Sequence, residues 1–260
     1  SAFCNAGFAL FPDILIGFRA DPLVNTTIMA LIILGGIGFL VIREVMAWSR
    51  GWIGGWRHPR RRNIRISLHG KVVLVTSVFL IVFGAVLIGW LEMDNALSGM
   101  PFMEGMWTSL FQSVSARTAG YNTIDLNNFR SPTLFLVMFL MFVGASPGSA
   151  GGGVKTTCLA LFFAIFYNRL KGNPHVSLFH RTIPDEQVTK ALALVLLAAS
   201  LIGIALFALL IAQSTDLSHE NPREFLAYAF EAVSAFATAG LSIGMTATLN
   251  PAGKWIVVLL

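Results

Sequence analysis

The chain has 260 residues, of which 55% are hydrophobic and only 12% charged, with a net charge of +5 and a mean hydropathy of +0.72. That balance excludes a soluble globular domain and a disordered chain and places the sequence among polytopic membrane proteins. Cys4 and Cys158 are too few and too scattered for a disulfide framework, and the histidines lack metal-ligand spacing.

In chain order, the sequence opens on SAFCNAGF, residues 1–8. An apolar run follows at residues 23–42, with only a mild glycine cluster at Gly35, Gly36 and Gly38, and it predicts one uninterrupted span of about 20 residues. Residues 43–71 carry Arg43, Arg50, Arg57, Arg60, Arg61, Arg62, Arg65 and Lys71 against Glu44 alone. The positive-inside rule makes this loop cytoplasmic, with Trp52 and Trp56 at the lipid headgroups. A nucleic-acid patch is the weaker reading, because the basic residues flank spanning helices. A second run, residues 72–91, crosses outward. Pro101 then starts a short helix that ends near Arg117 in SVSARTAGYN, residues 113–122.

Residues 132–170 are too long for one ordinary span. Their middle reads GASPGSAGGG, residues 144–153, between apolar half-helices at 134–143 and 159–167, which predicts a discontinuous membrane helix. Arg169, Lys171, Arg181 and Lys190 mark a second cytoplasmic loop, and residues 188–212 form a third spanning run. Asn221 as N-cap and Pro222 at the first helical position start another short helix, which ends in VSAFATAGLS, residues 233–242. Asp13, Asp21, Glu92, Asp94, Asp125, Asp216 and Glu220 gather on the opposite, outer side.

Aligned on their last glycine, the three words Asn5-Ala6-Gly7, Thr118-Ala119-Gly120 and Thr238-Ala239-Gly240 recur at intervals of 113 and 120 residues. The short helices before the second and third words cannot cross a bilayer, so each dips in and returns. Irregular backbone at membrane depth is tolerated only where protein or a water-filled cavity surrounds it. A packing glycine in a tight turn would account for one such word on its own, but not for the same word three times after short helices. Loop carbonyls facing an axis replace the hydration shell of a cation, and a helix C-terminus aims partial negative charge at the same place. The predicted ion-binding residues are therefore the backbones of these nine.

Only one repeat carries an obvious break, which suits a gate: Gly144, Gly148, Gly151, Gly152, Gly153 and the adjoining Lys155. Lys155 is a functional candidate at membrane depth, or else reaches the cytoplasmic vestibule or a helix C-terminal carbonyl. A P-loop is excluded, since Gly148 and Gly153 would require lysine where Val154 stands, and no strand precedes them. Arg117 and Glu231, near the filter words, are expected to pair with one another or with backbone. Paired carboxylates, a metal cluster and a nucleophile–base arrangement are all missing from the spanning runs, so a membrane enzyme is not expected.

Taken together, SVSARTAGYNTIDL, GASPGSAGGGVKTT, AFCNAGF and FEAVSAFATAGLS resemble the KtrB-type membrane subunits of bacterial Ktr potassium transporters, in the Trk/Ktr/HKT superfamily. The resemblance implies an all-α polytopic protein of the bacterial cytoplasmic membrane, with repeated helix–pore-loop–helix units around a central potassium path. It implies a homodimer seated on a cytosolic KtrA-type regulatory ring that binds nucleotide, sodium-dependent potassium uptake, and no cofactor in this chain. A sodium-selective or mixed relative is the alternative. On this alignment residues 1–71 are the end of the second repeat with its basic loop. Residues 72–187 are the third repeat with its broken helix, and residues 188–260 are a truncated fourth. The first repeat and most of the last helix are expected to be missing.

Overall fold

The computed structural model describes residues 1–8, 15–55, 66–173, 175–179, 181–213 and 223–260, with 51–55 described by backbone alone. The basic cluster at Arg57, Arg60–62 and Arg65, the side chain of Trp52, Trp56, and the Asn221-Pro222 start signal lie outside the described residues. The described chain is helical apart from one two-residue antiparallel hairpin, β1 (Ser177–Leu178) with β2 (Arg181–Thr182).

α1 (Pro22–Ile37) begins where Asp21 accepts from the N–H groups of Leu23 and Val24, with Pro22 in the first turn. α2 (Phe39–Gly55) follows after a bend of 105°. The uninterrupted span expected over residues 23–42 is therefore corrected: Gly38 takes φ +90° and the helix breaks there. The physical reason lies in the third repeat. The N–H of Phe39 leaves its helical partner and donates to the Gly148 carbonyl at 3.2 Å. The carbonyls of Gly35 and Gly36 accept instead from Ala150 and Ser146 N–H at 3.3 and 3.0 Å. The glycine-rich loop supplies the hydrogen bonds that the helix ladder gives up, which is how inserted groups kink helices. Two consecutive repeats are broken, and each break holds the other.

α3 (Leu68–Glu92) and α7 (Asp185–Ala212), of 25 and 28 residues, are the two helices among the described residues long and apolar enough to cross a membrane unbent. Ser67 caps α3 through Gly70 N–H and is itself held by Glu44. The short helices α4 (Phe102–Ser115) and α8 (Glu224–Phe236) have 14 and 13 residues. At 1.5 Å per residue each is about 20 Å long, too short to span. The broken helix of the third repeat consists of α5 (Ser131–Phe142) and α6 (Thr156–Leu170), with residues 144–153 between them. α9 (Met245–Thr248) and α10 (Pro251–Leu259) complete the chain, the latter capped by Asn250 onto Gly253 N–H.

The helix faces are arranged for lipid. Val75, Val78, Phe79, Val82 and Val86 on α3, with Leu194, Leu196, Leu197, Ile204 and Phe207 on α7, are exposed. The buried face of α3 runs through Val73, Ser77, Leu80, Gly84 and Ile88, a helical stripe. Close packing rather than a hydrophobic driving force holds such helices together in a bilayer. Gly84 illustrates it, since a β-carbon there would fall 2.4 Å from Ser113 Oγ. Two apolar clusters back the words. One joins α3, α5 and α8 to Ala116, Ala237, Ala239 and Leu241, and the other joins α1 and α4 to Ala119 and Tyr121.

Candidate ion pathway

The C-termini of α4 and α8 lead directly into the second and third words, and a one-turn 3-10 segment, Ala2–Cys4, leads into the first. The words share an unusual backbone. Gly7, Gly120 and Gly240 have φ of +65°, +78° and +73°. The first residue of each word is also left-handed: Asn5 at +49°, Thr118 at +74° and Thr238 at +52°. For a β-branched threonine that conformation costs about 1–2 kcal/mol, so the surroundings must enforce it. Only Phe179 joins these three among described non-glycine residues with positive φ. Strain of this kind concentrates at functional segments.

The three words meet one another. A β-carbon on Gly7 would fall 2.9 Å from the Ala119 carbonyl oxygen, and one on Gly120 would fall 2.6 Å from the Ala239 carbonyl oxygen. Gly120 Cα lies 3.8 Å from the β-position of Gly240. A β-carbon at Gly7 or Gly120 would force a shift, whereas Gly240 is not crowded, and all three hold a φ that L-residues avoid. Among the described residues, no N–H or O–H group donates to the carbonyl of Asn5, Ala6, Gly7, Thr118, Ala119, Gly120, Thr238, Ala239 or Gly240. Asn5, Thr118, Ala119, Gly120 and Ala239 are buried, where backbone carbonyls are almost always paired. The residues after the words conform: the carbonyls of Phe8, Tyr121 and Leu241 accept from Ser1, Ser115 and Ser234 hydroxyls at 2.7, 2.5 and 2.6 Å.

The gate candidates lie against the same words. A β-carbon at Gly151 would sit 2.2 Å from Thr118 Oγ1 and 3.2 Å from Asn5 Nδ2, and one at Gly152 would sit 2.2 Å from Thr238 Oγ1. Gly144 packs on Gly152 and Gly153, with its β-position 2.0 Å from the Gly152 carbonyl oxygen. Gly148 faces the ring of Phe39. Lys155, at the N-cap of α6, donates from Nζ to the Gly151 carbonyl at 2.7 Å, so its partner is the loop itself and not a helix C-terminal carbonyl.

Arg117 and Glu231 do not pair. Arg117 is buried, with guanidinium N–H groups on the Ser77 carbonyl and hydroxyl at 3.4 and 3.3 Å. Glu231 accepts from Ser242 and Thr246 hydroxyls at 2.5 and 2.7 Å. Each instead ties the word region to neighbouring backbone or hydroxyls. The serine anchors were not evident in the sequence, although Ser1 and Ser234 stand at the same distance before their glycines. The third repeat hides the pattern, because Ser115 is one residue nearer to Gly120.

Re-entrant helices that bring strained glycine words to a common point define a pore-loop membrane protein. The family model described as TrkH, cation transport protein, matches residues 1–260, and the chain belongs to that family of cation transporters rather than to a class of enzymes. It is 38% identical over 260 residues to Ktr system potassium uptake protein B of Vibrio alginolyticus, covering 99% of this chain and 53% of that protein. Identity to the Bacillus subtilis protein of the same description is 34%, over 100% of this chain and 54% of the relative. Potassium/sodium uptake protein NtpJ of Enterococcus hirae is also 34% identical, covering 99% of this chain and 54% of that protein. The crystal structure of the potassium transporter TrkH from Vibrio parahaemolyticus superposes with a TM-score of 0.72 at 17% identity, covering 99% of this chain and 53% of that one, and shares the fold. The chain spans about half the length of the relatives it matches.

Proposed function

We propose that the chain contributes three filter strands and a gate to a path that moves potassium across a bacterial cytoplasmic membrane. The observation that carries this reading is the set of nine word carbonyls without a donor among the described residues, each word followed by a carbonyl that a serine hydroxyl holds. Unpaired carbonyl oxygens can replace the water shell of a cation. The C-terminal ends of α4 and α8 add partial negative charge at the same place. Two of the relatives are named for potassium uptake and a third for potassium and sodium, which supports potassium as the ion.

The loop at residues 144–153 is the proposed gate. Gly151 and Gly152 pack directly on the side chains of Thr118 and Thr238, a contact that supports the loop as the occluding element. A homodimer on a nucleotide-binding KtrA-type ring, contacted through the basic segment around Arg60–62, completes the reading, as does stimulation by sodium. The relatives' description as parts of a Ktr system is in keeping with such subunits.

The test is Gly120→Ser in the full-length protein, expressed in cells that lack other potassium uptake systems. Potassium and sodium uptake are measured side by side. A loss of discrimination of about tenfold or more is expected, because the new side chain meets the Ala239 carbonyl. Unchanged apparent affinities for both ions in a well-expressed variant remove the filter assignment.

A further inference from the structure

Each word is followed by a carbonyl that a serine hydroxyl has taken. Ser115 Oγ donates to the Tyr121 carbonyl at 2.5 Å and accepts from the Tyr121 N–H at 2.8 Å, gripping that residue from both sides. Ser234 Oγ donates to the Leu241 carbonyl at 2.6 Å, and Ser1 Oγ donates to the Phe8 carbonyl at 2.7 Å. The same relation holds in three repeats, although the chain between serine and glycine is one residue shorter in the third repeat. The helix behind the words follows the serine. Gln112, three residues before Ser115, bonds Asn122, and Glu231, three residues before Ser234, bonds Ser242. A shift of one residue in sequence is absorbed between helix and glycine, while the hydroxyl still finds the carbonyl just past the glycine. Chance contacts do not survive a register change.

We infer that Ser1, Ser115 and Ser234 are positioning residues that end the ion-coordinating stack at the glycine layer, by turning the next carbonyl inward to a hydroxyl; Ser115 also holds the Tyr121 N–H and with it the plane of the Gly120 peptide. The inference rests on the filter reading above and adds its outer boundary. A carbonyl held by a hydroxyl does not compete for the ion, and the Gly120 peptide, pinned through the Tyr121 N–H, cannot rotate to follow a smaller one. The serines therefore govern discrimination rather than passage.

The experiment uses the full-length protein in proteoliposomes, with Ser115→Ala and Ser115→Cys. Ser113→Ala is the control, because Ser113 is a buried serine on the same helix whose hydroxyl bonds the Ile81 carbonyl of α3. Losing one buried hydrogen bond at the filter is expected to raise the potassium KM about tenfold, with maximal velocity kept and the potassium-over-sodium preference reduced. The weaker thiol donor of Ser115→Cys is expected to fall between wild type and Ser115→Ala. Ser113→Ala is expected to match wild type. A Ser115→Cys variant with wild-type KM and preference overturns the inference, even where Ser115→Ala does not fold. So does an equal change in Ser113→Ala. If Gly120→Ser alters selectivity while the Ser115 variants do not, the clamp alone falls; if Gly120→Ser alters nothing, the filter reading falls first.

Discussion

Lys155 Nζ lies 2.7 Å from the Gly151 carbonyl oxygen and joins the base of α6 to the part of the loop that presses on Thr118. A lysine at a helix N-cap sits at the positive end of the helix dipole, which by itself disfavours it. The bond to the loop carbonyl offsets that cost and pins the loop.

Removing the ammonium while keeping the stem is therefore expected to loosen the gate. Charge-assisted hydrogen bonds are worth about 1.5–3 kcal/mol, less here because Lys155 is only half-buried. For Lys155→Met we expect maximal potassium velocity to rise by several-fold, up to about tenfold, with the potassium-over-sodium preference unchanged. Initial-rate uptake in energised cells measures both. Wild-type velocity would mean that the bond does not hold the gate.

Deletion of residues 149–152 removes Gly151 and Gly152, the residues seated on the words, and leaves all three words intact. The expected outcome is faster potassium flux with selectivity retained. A structural linker would instead give lost folding or unchanged flux. Uptake velocity, normalised to protein in the membrane, decides between them.

Gly38 is expected to be intolerant of a side chain. Its φ of +90° and a β-position 2.6 Å from the Pro147 carbonyl oxygen combine backbone strain with a clash against the loop. Gly38→Ala is expected to lower stability by about 2 kcal/mol or more, read as a drop in Tm in detergent. Gly17→Ala, with nothing within 4 Å, is expected to leave Tm nearly unchanged. Equal Tm values for the two variants would argue that the junction of the two breaks contributes nothing to stability.

Glu92 ends α3 fully buried and accepts from Arg130 N–H at 2.9 Å, Asn95 Nδ2 at 2.5 Å, Ala96 N–H at 3.3 Å and the Thr133 hydroxyl. It thereby caps the start of α5. Glutamine offers one acceptor oxygen in place of two, so Glu92→Gln is expected to leave buried donors unpaired and cost about 1–3 kcal/mol. Glu186, paired with Lys190 at an exposed site, is the comparison, and its glutamine variant is expected to be nearly neutral. Thermal unfolding separates the two. Ion selectivity in both is expected to remain that of the wild type.

Composition and the length of the apolar runs were sufficient to read a membrane protein, because crossing hydrocarbon demands about 20 apolar residues in one stretch. The words around Gly7, Gly120 and Gly240, and the loop at 144–153, were legible for a similar reason. Glycine is the residue that positive φ and close backbone approach select, so it leaves a local mark. The break at Gly38 was not legible. Residues 23–42 carry no charge and only a mild glycine cluster, and only the distant loop decides that Phe39 N–H turns to Gly148. The left-handed turns at Thr118 and Thr238 run against the preference of a β-branched residue, so only their packing reveals them. The anchors Ser115 and Glu92 are ordinary residues until a carbonyl or an N–H from another segment arrives beside them. Local chemistry writes itself into the sequence. Hydrogen bonds between segments far apart in the chain do not, because either partner could be satisfied in many other ways.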